Sequence, residues 1–102
     1  MSHYRIYADF IDELQSRLKK VLIGQFGSNI ISIGFNSATD SIVVSWSNLT
    51  NNNPESYSFK VISSEEYHAD GFVKKFDAEF YMNREIKYIS SEMFKIDDRQ
   101  RG

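Results

Sequence analysis

The 102-residue sequence predicts an α+β domain in which a long N-terminal helix packs on one face of an antiparallel meander of about five strands. Three observations carry this expectation. Apolar residues recur with helical spacing up to about residue 25, the spacing drops to strict alternation from Asn29 onward, and an Asp70-Gly71 pair stands between two further alternating runs.

Within the first segment, Tyr4, Tyr7, Ile11, Leu14, Leu18 and Val21 follow one another at steps of three and four, with Phe10 and Leu22 beside them. A helix over about residues 2–25 therefore has one apolar face. Ser2 is placed to cap it and Gly27 to end it. Asp9, Asp12 and Glu13 near its start and Lys19 and Lys20 near its end complement the helix dipole, while Glu13 and Arg17 are spaced to pair at i,i+4. The stripe lasts only about three heptads before the period changes, so it suits a sheet-packed helix better than a coiled-coil seam.

Ile31, Ile33 and Phe35 share a face over residues 29–35, and Ile42, Val44 and Trp46 do so over 41–47, with Ser41, Ser45 and Ser47 opposite and the turn-forming NSATD between. The polar NLTNNNPE reads as a loop around the single proline. Tyr57, Phe59 and Val61 then open a third strand, taken as 56–69. Asp-Gly favours a two-residue hairpin turn because both central positions need positive φ. Folding the chain there sets Phe59 against Met82, Val61 against Phe80 and Glu66 against Lys75, giving a fourth strand over 72–82 and a fifth over 86–90. Residues 63–75 would then project as a polar arm. Ile86, Ile89, Met93 and Ile96 also fit a helix, so residues 90–102 stay open between helix, strand and loop, with the tail 97–102 expected to be loose. No repeat, linker or second domain is evident in the chain.

Composition narrows the function. Without cysteine there is no disulfide framework, thiolate nucleophile or cysteine-based metal site. The N-terminus does not read as a signal peptide and no apolar run approaches the roughly 18 residues of a membrane span, so a cytoplasmic protein with no membrane partner is expected. Twelve basic against fourteen acidic residues give a net charge of −2, the wrong sign for a nucleic-acid binder. Glycine-rich phosphate loops and the nucleophile elbow are both missing. Glu66, His68 and Asp70 alternate onto one side of the expected strand, an arrangement suited to acid–base work or metal ligation, yet solvated turn residues give the same pattern. Glu85-Ile86-Lys87 has the spacing of metal-dependent nuclease strands, with Asp77 as the upstream carboxylate. Composition alone yields about one such match, so neither enzymatic activity, cofactor nor metal is expected.

The acidic arm is better suited to a protein partner. Tyr67 beside Glu65, Glu66, His68 and Asp70 has the aromatic-plus-acid makeup of an interface with a basic protein, and the pairing adds Asp77 and Glu79 to the same face. The exposed face of the first helix, around Asp9, Asp12 and Glu13, is a second acidic surface. In build, a small, cysteine-free, mildly acidic, Ser/Asn/Ile/Lys-rich domain resembles the immunity proteins of bacterial toxin–immunity pairs, including those of contact-dependent growth inhibition. That resemblance implies binding to one cognate toxin domain, often a basic nuclease, and blocking of its active site or substrate path. Phage-encoded inhibitors of host defence share this build. The alternatives from other classes are a small metal-dependent nuclease using Asp77, Glu85 and Lys87, and a structural subunit that oligomerises through a sheet edge.

Overall fold

A computed structural model describes residues 6–48, 51–69 and 75–101, apart from the side chains of residues 48, 51–53, 75–77, 100 and 101. The described elements are helix α1 (Tyr7–Phe26), a single 3₁₀ turn (Gly27–Asn29), strands β1 (Ile30–Asn36), β2 (Ser41–Asn48) and β3 (Asn51–Lys60), a short helix α2 (Ser64–Tyr67) and the long helix α3 (Lys75–Arg101). The strands form an antiparallel sheet in the order β1-β2-β3.

The apolar stripe of α1 forms as its spacing predicts, with Phe10, Ile11, Leu14, Leu18 and Leu22 buried. Gly27 closes the helix at φ 60°, a left-handed conformation that glycine adopts without Cβ strain, and its N–H donates to the Ile23 carbonyl. The expected hairpin of β1 and β2 is also present, pairing Phe35 with Ile42 and Ile33 with Val44. A bulge between Ile30 and Ser32 breaks the alternation at one end, so Ile30 is buried and Ile31 stands 52% exposed instead of sharing a face with Ile33. Strand β3 begins at Asn51 and incorporates most of the segment expected as a loop. Pro54 is tolerated because β3 is an edge strand. Phe59 and Tyr57 face Ile42 and Val44, and the inner row Ile42, Val44 and Trp46 is essentially inaccessible to solvent.

Beyond Lys60 the expectation of further strands is overturned. Three strands are described, not five: residues 64–67 are a helical turn, and α3 takes in residues 75–82 and 86–90, expected as strands, and residues 97–101 of the supposedly loose tail. The reason lies in spacing. Ala78, Met82, Glu85, Ile89, Met93 and Ile96 recur at steps of three and four, and all six are buried on one face of α3. Phe80, set by alternation against Val61, is instead exposed, as is Tyr88. The turn at Asp70-Gly71 lies outside the described residues.

Helix α3 is held to α1 by Arg17, whose guanidinium meets both oxygens of Glu79 at 2.9 and 3.1 Å and Glu13 at 2.8 Å, the last being the i,i+4 pair expected from spacing. A second tie lies at Ile62, buried between β3 and α2 and belonging to neither. Its N–H donates to Glu85 Oε2 of α3 at 2.8 Å and its carbonyl accepts from the Tyr7 hydroxyl of α1 at 2.6 Å. Arg84 Nε lies 3.1 Å from the other carboxylate oxygen of Glu85, so this buried acid has a counter-charge. Removing the carboxylate strands a buried N–H. Glu85→Ala is expected to cost about 3 kcal/mol, and Glu85→Gln, which keeps an oxygen acceptor, about 1 kcal/mol. Urea unfolding measures both; equal losses would show that the bond to Ile62 contributes nothing.

Candidate functional site

A groove of about 490 Å³ opens where the N-terminal half of α1 meets the turn joining β1 to β2 and the start of α2. Ala8, Ile11, Asp12 and Gln15 line one wall, a set at i, i+3, i+4 and i+7 that α1 presents along one side. Tyr7 and Phe35 supply aromatic surface, packed edge to face with ring centroids 6.0 Å apart. Ser37, Asp40 and Ser64 complete the lining.

Local chemistry fixes the turn. The Asn36 side chain accepts from the Ala38 N–H at 3.0 Å and its carbonyl from the Thr39 N–H at 3.3 Å, an Asx-type closure. Asp40 then adopts φ 50°, and its carbonyl accepts from the Val61 N–H at 2.9 Å, anchoring the turn to the chain leaving β3. Aspartate is one of the few residues that enter this left-handed region with modest strain.

Tyr7 sits at the junction of all three walls. Burial pushes its phenol pKa up to about 12, and the negative charges of Asp40, Glu85 and Glu66 add to the shift. The first helical N–H of α1, also that of Tyr7, donates to His68 Nε2 at 3.2 Å, so an imidazole serves where no N-cap side chain does.

The structure redistributes the residues expected to form the partner-binding arm. Glu65 and Glu66 are exposed on α2, directly after the groove-lining Ser64. Ser63 caps that turn by accepting from the Glu66 N–H at 3.1 Å and donates to the Glu66 carboxylate at 3.1 Å. Tyr67, expected as a solvent-facing anchor, is 2% exposed and packs on Phe10 with centroids 4.6 Å apart. It is a core residue because α2 turns it inward, whereas an alternating strand would have turned it out. His68 is half-buried against the start of α1, and Glu79 is engaged by Arg17. Asp70 lies outside the described residues, as does the side chain of Asp77. The expected nuclease set is also dispersed: on a helix Glu85 and Lys87 point apart, the first buried on the Ile62 N–H and the second exposed. Among the described residues no three His, Asp or Glu side chains converge to hold a metal ion. No described helix is long and apolar enough to cross a membrane.

Asp40, Gln15 and Phe35 were not singled out by sequence pattern. Phe35 read as core, and Asp40 read as turn chemistry; only the fold brings them against α1. No protein-family model, curated protein or solved structure matches the chain.

The groove thus pairs an apolar, partly aromatic floor with carboxylates at its margin. Such a site accepts the aliphatic stem of a lysine or arginine while its charged head reaches the acids. The Tyr7 phenol provides an internal probe. Below pH 10 it is protonated in both folded and unfolded chains and has no pH effect. Between pH 10 and about 12 the unfolded phenol ionises while the folded one does not, so stability falls as pH rises through that window. Comparing urea midpoints of wild type and Tyr7→Phe at pH 8 and pH 11 tests this. The variant is expected to lose about 1 kcal/mol at pH 8, and the gap should narrow at the higher pH; a constant gap would be inconsistent with the shifted phenol.

Proposed function

We propose that this protein is a non-enzymatic inhibitor that binds a basic protein partner at the groove between α1, the β1–β2 turn and α2, acting as an immunity protein that neutralises a cognate toxin. The observation carrying this reading is the combination of an apolar floor, Tyr7, Ile11 and Phe35, with Asp12 and Asp40 in the lining and exposed Glu65 and Glu66 beside it. Interfaces draw affinity from buried apolar and aromatic contacts, whereas complementary charge at the rim governs encounter and partner choice. Both components occur together here. The nuclease alternative is weakened because Glu85, its central carboxylate, is committed to a buried main-chain bond.

The test separates the two components. With the partner obtained by co-purification from the source cell, Asp12→Lys combined with Glu65→Lys is expected to slow association steeply at low salt and much less at high salt, since rim charges are screened. Ala8→Trp, at an exposed position in the groove wall, fills the space the partner needs. It should weaken binding by tenfold or more, about 1.4 kcal/mol, chiefly through faster dissociation. Wild-type affinity in both variants would exclude the groove as the contact site.

A further inference from the structure

Helix α3 holds its aromatic residues in solvent on the side away from the core. Phe80 is 58%, Tyr88 45% and Phe94 62% exposed, and no other aromatic side chain among the described residues is as open. Packing does not call for them there, because the buried stripe of Ala78, Met82, Ile89 and Met93 runs along the opposite side. Of the eight exposed positions of α3 from Phe80 to Lys95, three are these aromatics, three are Arg84, Lys87 and Lys95, and none is acidic. Each ring thus has a cation beside it: Arg84 one turn after Phe80, Lys87 next to Tyr88, and Lys95 next to Phe94. The acids of this stretch are turned aside, Glu79 to Arg17, Glu85 to Arg84 and the Ile62 N–H, and Glu92 to Lys95. Just past it, the exposed Asp98 and Arg99 offset one another. A second groove, of about 320 Å³, opens beside Phe94, where Gln25 of α1 joins Ser90, Ser91 and Lys95. The Ser90 hydroxyl donates to the Lys87 carbonyl at 3.2 Å, so the Gln25 amide and the Ser91 hydroxyl are the groups placed to meet a ligand there.

We propose that this side of α3 binds single-stranded nucleic acid, bases stacking on Phe80, Tyr88 and Phe94 and phosphates meeting Arg84, Lys87 and Lys95. Spacing and charge both favour that occupant. At 1.5 Å per residue the rings stand about 12 Å and about 9 Å apart along the axis. Cations fall between them, so ring and charge alternate as base and phosphate do along a strand. A protein interface instead gathers its aromatic anchors into one desolvated patch with charge at the rim, which rings separated by cations cannot form. A membrane surface needs a continuous apolar face, and that of α3 is buried in the core. A duplex keeps its bases stacked on one another and offers no free faces. The chain's net charge of −2 does not oppose the contact, because a ligand at this surface meets the local field, to which the exposed positions add only positive charge. The surface is separate from the groove at α1 and does not depend on the partner proposed for it.

The test is the fluorescence anisotropy of a labelled poly(dT) strand titrated with the full chain. Saturable binding is expected at low salt, with log K falling against log salt at a slope of about −2, as three neutralised phosphates give on a single strand. Phe80→Ala and Phe94→Ala should each weaken binding about tenfold and leave that slope unchanged. Lys87→Glu should weaken binding and flatten the slope by about one. All three positions are exposed, so the melting temperature should stay at the wild-type value. Ala8→Trp, which obstructs the groove at α1, should bind poly(dT) as wild type does. Absence of binding to poly(dT) overturns the proposal. So does binding that both alanine variants retain in full, since that contact would be charge alone. Equal or tighter binding of poly-glutamate, or of a duplex of the same length, also overturns it, the first by identifying an acidic protein as the occupant.

Discussion

The fold depends on how the chain is held at Ile62, where it leaves the sheet without entering another element. A buried residue outside regular structure must find partners for both its backbone groups, since each would otherwise lose its hydrogen bond to water uncompensated. Here one partner comes from each long helix: Glu85 of α3 takes the N–H and Tyr7 of α1 supplies the hydroxyl to the carbonyl. Two helices distant in sequence are thereby referenced to the same residue just beyond the sheet. The neighbouring Val61 N–H fixes the β1–β2 turn through Asp40, and His68, a few residues on, caps the start of α1. A single short crossing segment thus positions every wall of the groove.

This arrangement sorts the acidic residues into two groups that a net charge cannot distinguish. Glu13, Glu79 and Glu85 are engaged by Arg17, Arg84 or main chain and contribute to how α1, α3 and the sheet meet. Pairs as exposed as Arg17 and Glu79 contribute modestly to stability, but the bidentate geometry fixes the helix crossing. Asp9, Asp12, Glu65 and Glu66 remain exposed near one end of the molecule. The outer side of α3, by contrast, carries Arg84, Lys87 and Lys95. Among the described residues, these exposed acids and bases thus sit on different elements, a separation that the total of −2 does not reveal.

How much of this was legible depended on whether burial and period agreed. Phe10, Leu14, Leu18 and Leu22 repeat without interruption, so α1 was readable; Ile42, Val44 and Trp46 alternate cleanly, so the first hairpin was too. Helix α3 was obscured by one residue. A glutamate occupies the middle of its buried stripe at position 85, and with that position read as polar, the remaining Phe80, Met82, Ile86 and Tyr88 alternate well enough to imitate strands. Asp70-Gly71 strengthened the error, because a strong local turn signal carries no information about what flanks it. Acidity alone singled out Glu65 and Glu66, which the structure leaves exposed beside the groove, while Tyr67 was misplaced because its orientation follows from helix or strand. Asp40 and Phe35 needed the long-range contact between α1 and the β1–β2 turn before they could be recognised as neighbours.

The raised phenol pKa of Tyr7 connects stability to the proposed binding role. Desolvation is its larger cause, but the carboxylates of Asp40, Glu85 and Glu66 act in the same direction, which means that negative potential reaches the floor of the groove. A potential that opposes a phenolate favours an ammonium or guanidinium placed at the same point. Asp40 sustains part of that potential from a left-handed backbone conformation in which glycine would be less strained, so its carboxylate is held at the groove at some cost to the turn. The Val61 N–H holds the backbone that carries Asp40, and the Ile62 carbonyl holds the Tyr7 hydroxyl, so the floor of the groove is built into the same bonds that anchor the chain leaving the sheet.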